Sequence, residues 1–404
     1  MNERVYNIGV LTTHPIQYQV PWFRKLAARP DVSLRVHYCM VPDARQQGAG
    51  FGVAFQWDVP LLGGYDHVEL ENVSPAPWVV AFPGCDTPSI REVIRDGDFD
   101  VFIVNGWVVK SCLQALFACR RHDVPCLVRG ESNLLRQRSW WKRLAHRLLL
   151  RQYAGVLAIG EENHRYYLAY GVSRRRIYRT PYGVDNDFFV EGCFRASGRR
   201  EDFRERWSVP QAAFTFLFCG KLEPKKRPLD FLNAVRGLVT SDPSKPCHAL
   251  VVGDGELRSA CEALARRHDV PVSFTGFVNQ TEAIEAYVAA DALVLPSDGG
   301  ETWGLVVNEA MACGLPVVVS DQVGCGPDLV IPGETGLIFP CGDVSGLTEA
   351  MARLRTQATD SGGFAQRVRE RVGQHSVDAV VDGVMSAVRG CAKARASRGG
   401  TGTR

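Results

Sequence analysis

The stretch that most constrains what this chain can fold into is residues 292–321, ALVLPSDGGETWGLVVNEAMACGLPVVVSD. The apolar run from Ala292 to Leu295 has the length and branching of a buried strand, and it breaks at Pro296 into a polar loop holding Gly299 and Gly300. From Gly304 the spacing turns helical. Leu305, Asn308, Glu309, Ala312 and Cys313 share a side, Gly314 and Pro316 stop the helix, and Pro316 to Val319 begins another buried strand. Strand, helix and strand in that order make a βαβ unit, and two parallel strands need such a crossover.

A βαβ unit sets its strand-to-helix loop at the carboxyl edge of the sheet, where open α/β sheets bind ligands and helix-start amides attract anions. The amides of Trp303, Gly304 and Leu305 therefore suit an anion, and two carboxylates flank them. Glu301 lies just before the helix, and Glu309 follows eight residues later, roughly 12 Å along the axis. An extended ligand with a charged middle and hydroxyls at both ends matches this spacing, as a nucleotide-diphosphate sugar does. The other reading is that both glutamates merely decorate the start of an exposed helix.

The remaining apolar runs alternate with helical stretches, which predicts an α/β fold of two doubly wound Rossmann-like domains facing a cleft. In the first half the strands are 5–11, 33–39, 100–104, 126–129 and 155–159; in the second they are 214–219, 248–252, 272–275, 292–295 and 317–320. A chain of 404 residues exceeds what one core fills. The expected divisions are residues 1–182, a polar crossover at 183–210, a second domain at 211–375, and a terminal helix with a disordered tail at 376–404. Residues 41–66 show no clean period and read either as a long acceptor-side loop or as a disordered excursion.

Net charge is +3, too small to mark a nucleic-acid binder, but residues 120–179 hold fourteen Arg or Lys against four Asp or Glu. Within that region Ser139 to Tyr153 forms an amphipathic basic helix. Trp140, Trp141, Leu144, Leu148 and Leu149 line one side; Lys142, Arg143, His146, Arg147 and Arg151 surround the rest. Such a helix either lies in an anionic membrane surface or packs its leucines inward with a solvated basic face. Thirteen scattered cysteines carry neither a disulfide framework nor zinc-ligand spacing, which fits a reducing cytoplasm. No signal peptide or spanning helix is expected.

Three further loops follow second-half strands. Gly220-Lys221-Leu222-Glu223-Pro224-Lys225-Lys226-Arg227 carries cations, and Lys221 and Lys226 can reach a diphosphate there, although a solvated basic turn has the same composition. Gly253-Asp254-Gly255 allows close backbone approach to a base or sugar, or is a plain tight turn; Arg258 stands where a dinucleotide fingerprint has its third glycine. Gly276-Phe277-Val278 follows the next strand. Two D-x-D triplets, Asp98-Phe99-Asp100 and Asp185-Asn186-Asp187, are read as structural, and no metal is expected.

The set Gly220-Lys221-Leu222 with Lys226, Gly253-Asp254-Gly255, Gly276-Phe277-Val278, and Glu301 eight residues before Glu309-Ala310-Met311-Ala312-x-Gly314-x-Pro316-Val317 resembles the family-4 retaining glycosyltransferases of GT-B architecture. The match runs in order over about 190–350, with Gly336-Leu337 and Asp343 near its end. The first half resembles the family mainly in the order of its strands and helices.

The resemblance implies transfer of a sugar from a nucleotide diphosphate, UDP- or GDP-linked, to a hydroxyl acceptor, with retention and without a cofactor or metal. It implies an acceptor-binding domain at 1–182 and a donor domain at 211–375. Lys221 and Lys226 match the family's diphosphate-binding cations, Glu301 the carboxylate on the donor sugar and Glu309 the ribose ligand. Gly304 and Leu305 match the amides under the phosphate, joined by Trp303, Gly253, Gly255 and Val278 as donor-side residues. His14 occupies the place of the family's glycine-rich acceptor loop. Where many members carry a histidine in the loop after the strand equivalent to 126–129, this chain has Arg129-Gly130-Glu131-Ser132, and Glu131 or Arg129 takes over its contacts. Asp328, in Gly324-Cys325-Gly326-Pro327-Asp328, stands for the family's later acidic residue.

The expected acceptor is a lipid-linked or polysaccharide intermediate, used in the cytoplasm or peripherally on the inner face of the membrane through 139–153. A nucleotide-sugar epimerase on the same architecture would share the phosphate loops and turn over donor without acceptor. A nucleic-acid-binding module would draw on the 120–179 stretch, but its residues fit an amphipathic helix better than a base-stacking platform.

Overall fold

The computed structural model describes residues 4–48, 52–360 and 363–399. Two parallel sheets organise them. The first comprises β1 (Tyr6–Thr12), β2 (Val32–Tyr38), β3 (Asp66–Glu69), β4 (Val101–Asn105), β5 (Cys126–Arg129), β6 (Gly155–Ala158) and β7 (Ile177–Arg179), in the order β3-β2-β1-β4-β5-β6-β7. The second comprises β8 (Phe214–Cys219), β9 (Cys247–Val252), β10 (Val272–Gly276), β11 (Ala292–Leu295), β12 (Val317–Ser320) and β13 (Gly336–Phe339), in the order β10-β9-β8-β11-β12-β13. Both are doubly wound α/β sheets. Sequence order reverses at β1/β4 and at β8/β11, and a crevice opens at such a reversal because the flanking loops diverge to opposite faces.

Near-continuous apolar strands are what a sheet covered on both faces requires. In β11 and β12 every residue is buried, as are all six of β9. The edge strand β3, Asp-His-Val-Glu, is mostly exposed and has no apolar run, so nothing in the sequence marks it.

The compact units do not follow the chain linearly. One contains residues 1–42, 60–182 and 377–404; the other contains 43–59 and 183–376. Residues 41–66, which give no period in the sequence, therefore divide, and 43–59 joins the second unit.

The C-terminal helix Val377–Gly399 returns to the first sheet, where Val380, Val384, Met385 and Val388 share a core with Ile8, Val10 and Leu127. The approach is close. A Cβ on Gly383 would stand 2.0 Å from the Arg179 carbonyl oxygen, so only glycine lets the helix reach β7. The expected disordered tail falls partly on residues 400–404, outside the described residues.

The expected crossover 183–210 is mainly two helices, Asn186–Ala196 and Arg200–Arg206. Arg204, 3 % exposed, ties the second of these to the start of β11 through the Ala289 carbonyl and the Asp291 carboxylate, at 2.9 and 2.8 Å.

The basic helix spans Trp140–Leu150, and its sides differ from the sequence reading. Trp140 and Trp141 are 76 % and 55 % exposed, and Leu144 and Leu148 about equally open to solvent at 50 % and 49 %. Leu149 leaves that stripe and packs against the core beside buried Leu150. His146 leaves the solvated basic face as well: its Nδ1 lies 2.5 Å from the Tyr166 hydroxyl, and burial pushes its imidazole below its ordinary range, helped by Arg138 and Lys142. Among the described residues, no helix is long and apolar enough to cross a membrane.

Candidate functional site

The carboxyl edge of the second sheet is built from loops that hold one another. After β8, Gly220 donates its N–H to Val252 and Leu222 donates to Asp254, each at 2.9 Å; after β9, Gly253 donates to the Gly276 carbonyl at 2.8 Å. Gly253 has φ +123°, and a Cβ there would meet the Gly220 carbonyl oxygen at 2.0 Å. The backbone that Gly253 and Gly255 approach so closely is thus that of the loop at 220–222. The chain needs glycine there to stack the two loops, whatever either one binds.

Lys226 and Glu301 meet on this edge. They come from the loops after β8 and β11, the two strands that flank the reversal of strand order, and form an ion pair with each side chain 14 % exposed. Lys221 lies half-buried in the first of these loops, and burial pushes its ammonium below the ordinary lysine range, with Lys225 and Lys226 acting in the same sense and Glu223 opposing. Such a group gains most from an arriving anion, because the anion restores the charge that burial disfavours.

The loop carrying Glu301 is shaped by Asp298, whose carboxylate accepts from the Gly300 N–H at 2.7 Å, and by Gln322, which accepts from Gly299 at 2.8 Å. Asp298 followed by two glycines is an Asx-turn signal present in the sequence; Gln322 carries none.

The helix Leu305–Ala312 begins at Gly304, whose φ of +97° lies in the left-handed region. A Cβ there would press on Leu295 and Val323 at 2.8 and 3.0 Å. The first N–H groups of a helix lack the usual acceptor four residues back, and here that of Val307 turns to the Gly304 carbonyl at 2.9 Å. Trp303 is 3 % exposed and serves as a wedge beneath this turn, its indole N–H donating to Asn308 at 2.8 Å.

Glu309, 7 % exposed, accepts a 2.5 Å hydrogen bond from the Tyr287 hydroxyl. Burial, then Cys219 and Glu309 itself, push the Tyr287 hydroxyl well above its ordinary range, so it remains a donor and holds the carboxylate in one orientation. Tyr287 lies on the helix Gln280–Ala289, and its position gives no sign of this role in the sequence. Val278 is half-buried in the loop after β10, directly before the Asn279 that caps that helix.

At the carboxyl edge of the first sheet, His14 follows β1, with Nδ1 2.9 Å from the Thr13 hydroxyl. Burial lowers its imidazole to about 4, so it is neutral near pH 7. Glu131 follows β5, and its exposed carboxylate accepts from the Tyr182 hydroxyl at 2.7 Å. The guanidinium of Arg129, 5 % exposed, lies over the Tyr182 ring at 4.5 Å. Between them Gly130 has no room for a side chain, since a Cβ would meet the Trp107 ring at 2.5 Å. Tyr182 is the member of this cluster that sequence reasoning misses; it stands beside Gly183-Val184-Asp185, where only a turn is legible.

Both D-x-D triplets have structural partners. Asp100 accepts from the Asn7 N–H at 3.0 Å and pairs with Arg4, while Asp185 caps the helix Asn186–Ala196 by accepting from Phe188 at 3.2 Å. Asp328 is buried, with His375 at 3.7 Å.

Known proteins resemble the chain along both halves. The family model described as Glycosyl transferases group 1 matches residues 213–357, and that described as Glycosyl transferase 4-like domain matches residues 10–183. A GDP-mannose-dependent alpha-mannosyltransferase of Mycobacterium tuberculosis is 33 % identical over 307 residues, covering 72 % of this chain and 74 % of the relative. A D-inositol 3-phosphate glycosyltransferase of Thermomonospora curvata is 31 % identical over 211 residues, covering 50 % of this chain and 48 % of its own length. Among solved structures, Anabaena HepE in complex with UDP and glucose superposes with a TM-score of 0.69 at 15 % identity, over 95 % of this chain and 99 % of that one. A glycosyltransferase of Rickettsia africae gives 0.73 at 13 %, over 96 % and 98 %.

Proposed function

The chain belongs to the family-4 glycosyltransferases of GT-B architecture and transfers a sugar from a nucleotide-sugar donor; from that premise we propose a retaining, metal-independent transferase whose donor occupies the carboxyl edge of the second sheet. The observation that carries this reading is the Lys226–Glu301 pair. A cation and a carboxylate sit at the strand reversal, beside a helix N-terminus. An arriving donor exchanges that pair for two better matched ones, Lys226 with the diphosphate and Glu301 with the sugar hydroxyls.

In this reading Lys221, Lys226 and the amides of Trp303, Gly304 and Leu305 hold the diphosphate, and Glu309, fixed by Tyr287, takes the ribose diol. Gly253, Gly255 and Val278 shape the donor side. The bond from the anomeric carbon to the diphosphate oxygen breaks, its electron pair leaving with the oxygen. The acceptor oxygen bonds to the same face of the sugar and its proton passes to the departing phosphoryl group, which gives retention. The cations stabilise the charge that grows on that leaving group, the kind of preorganised electrostatics that contributes most to such steps.

On the acceptor side, Glu131 and His14 orient the incoming hydroxyl. The neutral imidazole is a hydrogen-bonding group there, and Glu131 stands in for the histidine frequent in the family. Exposed Trp140, Trp141, Leu144 and Leu148 beside the basic face support peripheral binding to an anionic, cytoplasm-facing membrane, and with it a lipid-linked or polysaccharide acceptor.

The Mycobacterium tuberculosis relative is named for GDP-mannose and the Anabaena complex holds UDP, so both bases enter the test. Melting temperatures are measured with UDP, GDP, ADP and dTDP in excess chelator, for wild type, Lys226→Ala and Glu309→Ala. One nucleotide stabilises wild type and neither variant, since a ligand bound only by the folded state raises the melting point by mass action. No shift from any nucleotide, or a shift only with added metal, would overturn the reading.

A further inference from the structure

The excursion between β2 and β3 offers the donor edge something the proposal above leaves unused. Its residues 43–59 belong to the second unit. They begin with the helical turn Ala44–Gln47, closed by reciprocal hydrogen bonds between Asp43 and Gln46. From 54 to 59 the chain alternates, with Phe55, Trp57 and Val59 half-buried and Ala54, Gln56 and Asp58 exposed.

This stretch is fastened to the start of the helix Gln280–Ala289. The Asn279 amide donates to the Gln56 carbonyl at 2.7 Å and accepts from the Asp58 N–H at 3.3 Å. The Asp58 carboxylate accepts from the Thr281 N–H at 3.1 Å, satisfying one of the donors that a helix start leaves free. So pinned, the Phe55 ring lies 4.2 Å from that of Phe277 with a 31° tilt, and Trp57 stands edge-on to Phe55 at 5.0 Å. Three half-buried rings thus gather where β10 ends, one loop away from the interlocked glycines.

Aromatic faces left partly open at a ligand edge suit a planar heterocycle, because any base presents a π-face to stack. The distances agree. Glu309 is held by Tyr287, which lies seven residues into the helix that Asn279 caps, roughly 10 Å from its start. A ribose at Glu309 whose base extends toward the start of that helix would bring the base to Phe277. We propose that Phe55 and Trp57 complete, with Phe277, the pocket for the donor's nucleobase, so that a segment from the first half of the sequence takes part in choosing the donor. This rests on the donor-site reading above and adds to it the part played by residues 55–58.

Calorimetric titration of the full chain with pyrophosphate, UDP and GDP separates the two. Phe55→Ala and Trp57→Ala weaken the nucleotide that wild type prefers by about five- to hundredfold, with pyrophosphate affinity unchanged and Phe55→Tyr close to wild type. Unchanged nucleotide affinity in Phe55→Ala would overturn the inference and leave the donor site standing. Equal loss of pyrophosphate and nucleotide would overturn it too, because the segment would then be supporting the whole edge. Wild type that binds neither UDP nor GDP would instead overturn the donor reading, and this inference with it.

Discussion

The two sheets share one strand order over their first six members, yet their carboxyl edges are built on different principles. The second edge rests on backbone, with glycines that stack loops and a helix start, and sets one paired cation and carboxylate upon it. The first is made of side chains: a buried arginine over a tyrosine that holds an exposed glutamate, and a neutral histidine. On the reading proposed above the second edge meets the diphosphate, the same object in every nucleotide sugar, and is constrained down to the backbone. A hydroxyl acceptor has no such fixed chemistry, and side chains can be exchanged without rebuilding the loops that bear them.

The largest expected effect tests the first half of that contrast. Lys226→Ala lowers kcat by about a hundred- to a thousandfold with every acceptor tried, since it removes a charge from the leaving group and leaves Glu301 without its cation. Steady-state rates against two unrelated acceptors check this, and a loss confined to one acceptor would break the division of labour.

A smaller effect belongs to the first edge. Tyr182→Phe keeps the ring under Arg129 but removes the donor to Glu131, and it should lower kcat/KM for the acceptor by about tenfold, the scale of one hydrogen bond to a charged group. Nucleoside diphosphate affinity measured in parallel should not move; if it falls equally, the Arg129–Tyr182–Glu131 cluster is serving the donor.

The smallest effect is a slope. Because burial lowers the Lys221 ammonium, the cation is fully present below its depressed range and lost as pH rises through it, so nucleoside diphosphate binding weakens toward alkaline pH and takes up protons. Binding titrations across pH in two buffers of different ionisation enthalpy detect both. Lys221→Met should flatten the slope while weakening binding throughout; an unchanged slope would assign the proton to another group.

Much of this architecture is legible in the sequence wherever burial on both faces writes a continuous apolar run, as in β9, β11 and β12. It is illegible where packing is one-sided. β3 is a polar edge strand, and nothing in 43–59 says which unit its aromatic residues will meet. Amphipathic spacing marks the apolar residues of 139–153, but it cannot say which of them the fold will use, and Leu149 and His146 turn inward while both tryptophans do not. At the carboxyl edge of the second sheet, the sequence spacing puts Lys226 and Glu301 on strand-end loops and Glu309 on the helix that follows, as the structure has them, because loop and helix geometry are local. Tyr287 and Tyr182 are not local to the carboxylates they hold, lying 22 and 51 positions away in the chain, and a single sequence carries no mark of such partnerships.

The contact between Gly253 and Gly220 has a practical consequence for anyone re-engineering this protein. Loops whose backbones touch at the distance of a missing side chain form one mechanical part. Grafting the segment after β9 from another protein, without also moving those after β8 and β10, would import a mismatch in backbone height that no surface redesign can correct. Attempts to change what this edge accepts should therefore exchange the loops at 220–227, 253–257 and 276–279 together as a cassette, or leave all three alone and vary the side chains around them.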